Sequence, residues 1–99
     1  MPLFFTKRTV FEWLQDGKKT IEIRKGNPCR GEVAVFQTGP KILRLKIIRK
    51  ETGYLAEVMR IDNFRLIIPS AMTLSDAVVY VHGLYGVSGG VFTAYYLEL

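Results

Sequence analysis

The hydrophobic positions change period several times along the chain, and each change marks an element. Leu3-Phe4-Phe5 is a short apolar run that predicts a first strand. Val10, Phe11, Trp13 and Leu14 then recur at helical spacing, which predicts a helix with one apolar face. Thr9 and Glu12 have the spacing of a capping box at its start. Gly17 stands where a left-handed C-terminal cap is wanted. From Lys18 to Arg24 the period becomes two: Ile21 and Ile23 take one face, Thr20, Glu22 and Arg24 the other. Residues 26–31 are turn material, and Val33–Phe36 is a further strand ended by Thr38-Gly39-Pro40.

Ile42 to Ile48 alternates again, with Leu43, Leu45 and Ile47 opposite Arg44 and Lys46. Thr52-Gly53 predicts a turn. Residues 54–61 fit a strand, but Leu55, Val58 and Met59 also have helical spacing. Phe64–Ile68 reads as a strand stopped by Pro69. Thr73-Leu74-Ser75-Asp76 predicts a helix start, with Asp76 at the positive end of the helix dipole. That helix is expected to reach about His82 and stop at Gly83, and Val91–Leu97 is the closing strand. The pattern thus predicts six or seven strands and two short helices. Their order does not fit parallel βαβ alternation. It predicts an α+β fold, a small, mostly antiparallel barrel with helices at its ends.

The length of 99 residues makes this one domain, 1–99, and a 48% hydrophobic content excludes a disordered chain. Residues 77–97 carry no formal charge, yet Gly83, Gly86, Gly89 and Gly90 interrupt them, so a membrane helix is not expected. A buried helix, a glycine turn and a buried strand explain the stretch. The N-terminus has its charges after its apolar run, the reverse of a signal peptide, and the expected location is the cytoplasm. Cys29 is the lone cysteine and His82 the lone histidine. No disulfide partner, metal or cofactor is therefore expected. Residues 83–90 lack the strand-to-helix context of a nucleotide fingerprint.

Charge divides the chain. Residues 1–50 hold twelve basic and four acidic side chains, a net of +8; residues 51–99 hold two and five, a net of −3. A basic half points to an anionic partner, with nucleic acid the commonest. Five of the cations, Lys18, Lys19, Arg24, Lys25 and Arg30, cluster in and just after one segment, Gly17-Lys18-Lys19-Thr20-Ile21-Glu22-Ile23-Arg24. This segment has the form G-x-K-x-x-E-x-R. The glycine lets the chain leave a helix sharply, the lysine sits at the mouth of a strand, and Glu22 and Arg24 point the same way. On a cleft wall these would offer an ammonium, a carboxylate and a guanidinium to one ligand. On an open surface Glu22 and Arg24 would be an ion pair contributing roughly 0–1 kcal/mol.

The segment resembles the signature of ASCH domains, which belong to the PUA-like superfold. A strand and helix before it, a Pro-Cys-Arg-Gly-Glu turn after it, and a late helix and strand extend the likeness over most of the chain. The resemblance implies a PUA-like pseudo-barrel with a cleft lined by Lys19, Glu22 and Arg24, with Thr20 beside them. It also implies a link to RNA or to nucleosides. Some bacterial members are amidohydrolases of acetylated cytidine, with a threonine nucleophile three positions after the lysine and a downstream glutamate. Here those positions hold Glu22 and, near the second, Ser70, so two of three catalytic positions depart.

Three functions follow as expectations. The first is a binding module for RNA or a modified nucleoside, with Lys19, Thr20, Glu22 and Arg24 on the ligand and Lys18, Lys25, Arg30, Arg44 and Lys46 on phosphates. Tyrosines among Tyr54, Tyr80, Tyr85, Tyr95 and Tyr96 could add a stacking surface, although half-buried packing is their commoner use. The second is a small hydrolase or ribonuclease, with Lys19 as base or electrostatic stabiliser and Glu22 as proton acceptor. The third is a protein-interaction domain, with self-association left open.

Overall fold

Arg24 reaches from one edge of the sheet to the other, and that contact defines the architecture. The protein is described by a computed structural model covering residues 1–87 and 89–99. Ser88, in the expected glycine turn, lies outside the described residues. The strands are β1 (Leu3–Phe5), β2 (Ile21–Lys25), β3 (Val33–Thr38), β4 (Lys41–Tyr54) and β5 (Val91–Glu98). They lie in the order β1-β3-β4-β5-β2, so β1 and β2 are the two edges. Arg24 on β2 nevertheless donates to the Phe5 carbonyl of β1 at 3.1 Å. The sheet is curled into a half-barrel, and this side chain spans its opening. The sheet is mixed: β1 runs parallel to β3, and the other described pairings are antiparallel.

The helices are α1 (Arg8–Gln15), α2 (Leu55–Val58), α3 (Phe64–Ile67) and α4 (Leu74–Tyr85). Apolar side chains form two clusters on opposite faces of the sheet. Phe4, Phe11, Leu14, Ala34, Phe36, Leu45, Ile47, Tyr95 and Leu97 join α1 to the strands. Ile21, Ile23, Phe92 and Ala94 pack with Val58, Phe64, Ile67, Ala77 and Val81 of α2, α3 and α4. Strand β5 feeds both clusters from alternate positions, so a charge on either face would be buried. This explains why β5 carries no charge before Glu98. No described helix is long and apolar enough to cross a membrane.

The α+β class agrees with the sequence pattern, while several elements differ. Helix α1 begins at Arg8 with Lys7 as its N-cap and no side-chain cap bond, so Thr9 lies inside the first turn. Strand β4 continues through Thr52-Gly53 rather than turning, because β5 pairs along it (Thr52 opposite Thr93, Gly53 opposite Phe92) after an irregularity between Ile47 and Arg49. Glu57 packs so closely over Gly53 that an added Cβ would lie 2.9 Å from its Oε1. The ambiguous segment contains helix α2, whose Glu57 accepts from the Tyr54 amide at 2.8 Å. Phe64–Ile67 is a helical turn, not a strand: Phe64 and Ile67 are buried while Arg65 and Leu66 are exposed, a spacing of three rather than two. Helix α4 has the expected capping box between Thr73 and Asp76, but runs through Gly83 to Tyr85. Its C-cap is Gly86, at a φ of 82°. Tyr85 is held there by an edge-on contact with Phe92 at 5.6 Å.

Candidate functional site

The site starts with how α1 ends. Gly17 has a φ of 75°, which a residue with a Cβ adopts only under strain. This conformation lets the Gly17 amide reach the Leu14 carbonyl at 3.2 Å and the Lys18 amide the Trp13 carbonyl at 2.9 Å. These are the paired bonds of a Schellman cap. The Lys19 amide adds a third bond, to Trp13 at 3.0 Å, and fixes the lysine just ahead of β2. Thr20 then clamps the backbone: its amide donates to Leu66 at 3.0 Å and its carbonyl accepts from Leu97 at 2.8 Å.

Lys19 turns inward and is only 4% exposed. Its Nζ donates to the Ile67 carbonyl at 2.5 Å and pairs with Glu22 Oε1 at 3.3 Å. Glu22, also buried, accepts at Oε1 from the Ile23 amide at 3.1 Å. At Oε2 it accepts from Arg24 Nε at 3.3 Å and Nη2 at 3.0 Å. Four donors thus surround two oxygens and fill the carboxylate's ordinary capacity. This differs from the sequence expectation of a carboxylate open to a ligand's amino group, because neighbouring cations and an amide already occupy it. The Arg24 guanidinium lies over the Phe4 ring, 4.6 Å from its centroid.

Burial pulls the Lys19 pKa below the ordinary lysine value of 10.5; Glu22 opposes the shift and Arg24 adds to it. Burial raises the Tyr80 and Tyr85 pKa values; at Tyr85 the Arg24 charge opposes the shift, and the Glu22 charge adds to it at both.

These groups form part of the wall of a cavity of about 260 Å³ between the β1–α1 junction, β2 and α4. The rest of its lining is largely apolar and aromatic, including Phe5, Trp13, Tyr80 and Tyr85. Trp13 and Tyr80 stand with ring centroids 6.4 Å apart. Trp13 is therefore not simply a core residue. Phe5 is 66% exposed, so the cavity has an apolar lip.

Of the expected ligand residues, Lys19, Glu22 and Arg24 meet in this wall, while Thr20 is not among the described lining residues. Lys18, Lys25, Arg30, Arg44 and Lys46 are all exposed, and none is among that lining. Arg44 and Lys46 lie on β4, separated from Lys25 on β2 by β5. The cavity also includes two residues the sequence pattern did not single out, Thr6 and Lys7. The Thr6 Oγ1 is buried and has no hydrogen-bond partner among the described residues. Nothing local marks it; its place follows from the parallel pairing of β1 with β3.

A second polar group lies elsewhere and is internally paired. Glu51 accepts from Tyr96 Oη at 2.9 Å and pairs with Arg49 and Arg60, while Asn63 binds the Val58 carbonyl and the Arg60 amide. This network joins β4, β5 and the α2–α3 link. Among the described residues no group of three or more His, Cys, Asp or Glu side chains could hold a metal ion.

The architecture is a small α+β half-barrel with a side cleft. No protein-family model and no curated protein matches the chain. Among solved structures, the hypothetical protein PH0355 is similar at a TM-score of 0.77, covering 97% of this chain and 95% of that one at 17% identity. That likeness is one of fold.

Proposed function

We propose that the chain is an ASCH-like, PUA-like domain that takes a base of RNA, or a modified nucleoside, into the cleft beside α4. The observation that carries this is the meeting of Lys19, Glu22 and Arg24 in one wall of a cavity whose remaining lining is largely apolar and aromatic. An apolar, partly aromatic cavity with charged donors at one side suits a heterocycle: its faces pack on Phe5, Trp13 or Tyr80, and its polar edge meets the cations. Glu22 holds Lys19 and Arg24 in position. The exposed cations on β2, β4 and the 26–31 turn then hold phosphates, which makes RNA binding weaken steeply with salt. A cytoplasmic setting agrees with the lone, exposed thiol of Cys29.

Trp13 is the single tryptophan and lines the cleft, so its fluorescence reports occupancy. Titration with single-stranded RNA and with nucleosides at low salt should give saturable changes that Lys19→Ala abolishes. No change with any RNA or nucleoside would reject the proposal.

A second reading, a hydrolase of an acylated base, draws on Lys19 alone. A buried amine with a lowered pKa beside a cavity is suited to accept a proton. With Glu22 already filled, that role passes to the lysine. Release of acetate from acetylated cytidine, lost in Lys19→Ala, would favour catalysis; binding without turnover favours the module.

A further inference from the structure

The unused hydrogen-bonding capacity of the charged groups in the cleft is all of one kind. An ammonium has three protons, and Lys19 uses two, on Ile67 and Glu22. Arg24 uses Nε and Nη2; its Nη1 has no partner among the described residues. Lys7 adds a further cation to the lining. The cleft's carboxylate, Glu22, is filled by four donors. Thr6 adds a buried, unpartnered hydroxyl. It follows Phe5, whose carbonyl holds the Arg24 guanidinium, and its own amide is tied to Gln37 at 3.0 Å. Thr6 and Arg24 line the same cavity.

We propose that the cleft reads its base by an acceptor-only edge, taking an oxo-base such as hypoxanthine or guanine and rejecting adenine, with Thr6 Oγ1 as a contact beside Lys19 Nζ and Arg24 Nη1. This rests on the nucleoside-binding function above and adds the chemical face that is read. An oxo-purine presents O6 and N7, two acceptors that lysine and arginine match. Adenine presents an amino group at the same position, for which asparagine or glutamine is the usual partner. Neither residue is among the described lining of the cleft. An adenine amino group would face cations with no free carboxylate to receive it.

Inosine and adenosine differ at this edge and are otherwise alike in shape. Trp13 fluorescence titrations of both, with the unaltered protein, should show inosine binding about tenfold tighter or more, the size expected when polar groups are left unpaired. Thr6→Val should weaken inosine by about 3- to 10-fold and adenosine by less, while Thr6→Ser keeps the inosine affinity. Adenosine binding as tightly as inosine would overturn the donor-edge inference while leaving nucleoside binding intact. So would Thr6→Val weakening both nucleosides equally. Binding of neither nucleoside nor any short RNA would overturn the underlying function as well. The inosine-to-adenosine ratio of the unaltered protein decides the matter whatever Thr6→Val does to folding.

Discussion

Arg24 on β2 donates to the Phe5 carbonyl on β1 at 3.1 Å, and so ties together the two edge strands of the sheet. The same guanidinium holds Glu22 through two bonds and lies over Phe4. One side chain therefore spans the half-barrel opening and lines the cleft, which couples site geometry to fold stability.

Arg24→Ala removes that clasp and two of the four donors to a buried carboxylate. The expected loss is about 1.5–3 kcal/mol in urea unfolding, the range for hydrogen bonds to charged groups. Arg24→Lys should recover only part of it, because a lysine keeps the charge but lacks the fork that reaches Glu22 and Phe5 together.

Glu22→Leu leaves Lys19 and Arg24 in the wall without their shared anion. Breaking a buried pair from one side costs about 3–5 kcal/mol. The double variant Lys19→Met/Glu22→Leu should be more stable than Glu22→Leu alone, since it removes the stranded ammonium as well. A double-mutant cycle with no coupling between the two positions would show that they act independently.

Lys19 gives stability a pH dependence whose sign follows from its lowered pKa. Over the window from the folded pKa up to the ordinary value of 10.5, the unfolded chain binds more protons at this group than the folded one does. Stability then rises with pH across that window. Below the folded pKa the full penalty of a buried charge is present. Unfolding free energies measured through the alkaline range should rise for the unaltered protein relative to Lys19→Met.

Gly17→Ala tests the cap that places Lys19. The added Cβ would lie 3.8 Å from Leu99 Cδ1, an ordinary contact, so sterics do not forbid it. The strain is in the backbone, at a φ of 75°. A loss of about 1–2 kcal/mol is expected, together with weaker nucleoside binding if the Lys19 backbone shifts. Thermal melts and the Trp13 titration measure the two effects separately.

Local chemistry in the chain determined much of the site and the element types. Alternation through Ile21, Glu22, Ile23 and Arg24 placed the charged pair together on one face of β2. Gly17 marked the end of α1, and Thr73 with Asp76 the start of α4, because caps are made by residues within a few positions of each other. Long-range pairing decided the rest. Strand β4 runs through Thr52-Gly53 because β5 lies alongside, and Phe64–Ile67 coils because a core must be met every third residue. Thr6, Trp13 and Tyr80 line one cleft only after the β1–α1 junction and α4 come together. The filling of Glu22 also waits on the fold, since a carboxylate's free capacity depends on which donors surround it. Spacing put Glu22 and Arg24 on one face, and the segment's resemblance to a known signature singled out Lys19, Glu22 and Arg24; only tertiary contacts made them a wall of donors with Glu22 already satisfied.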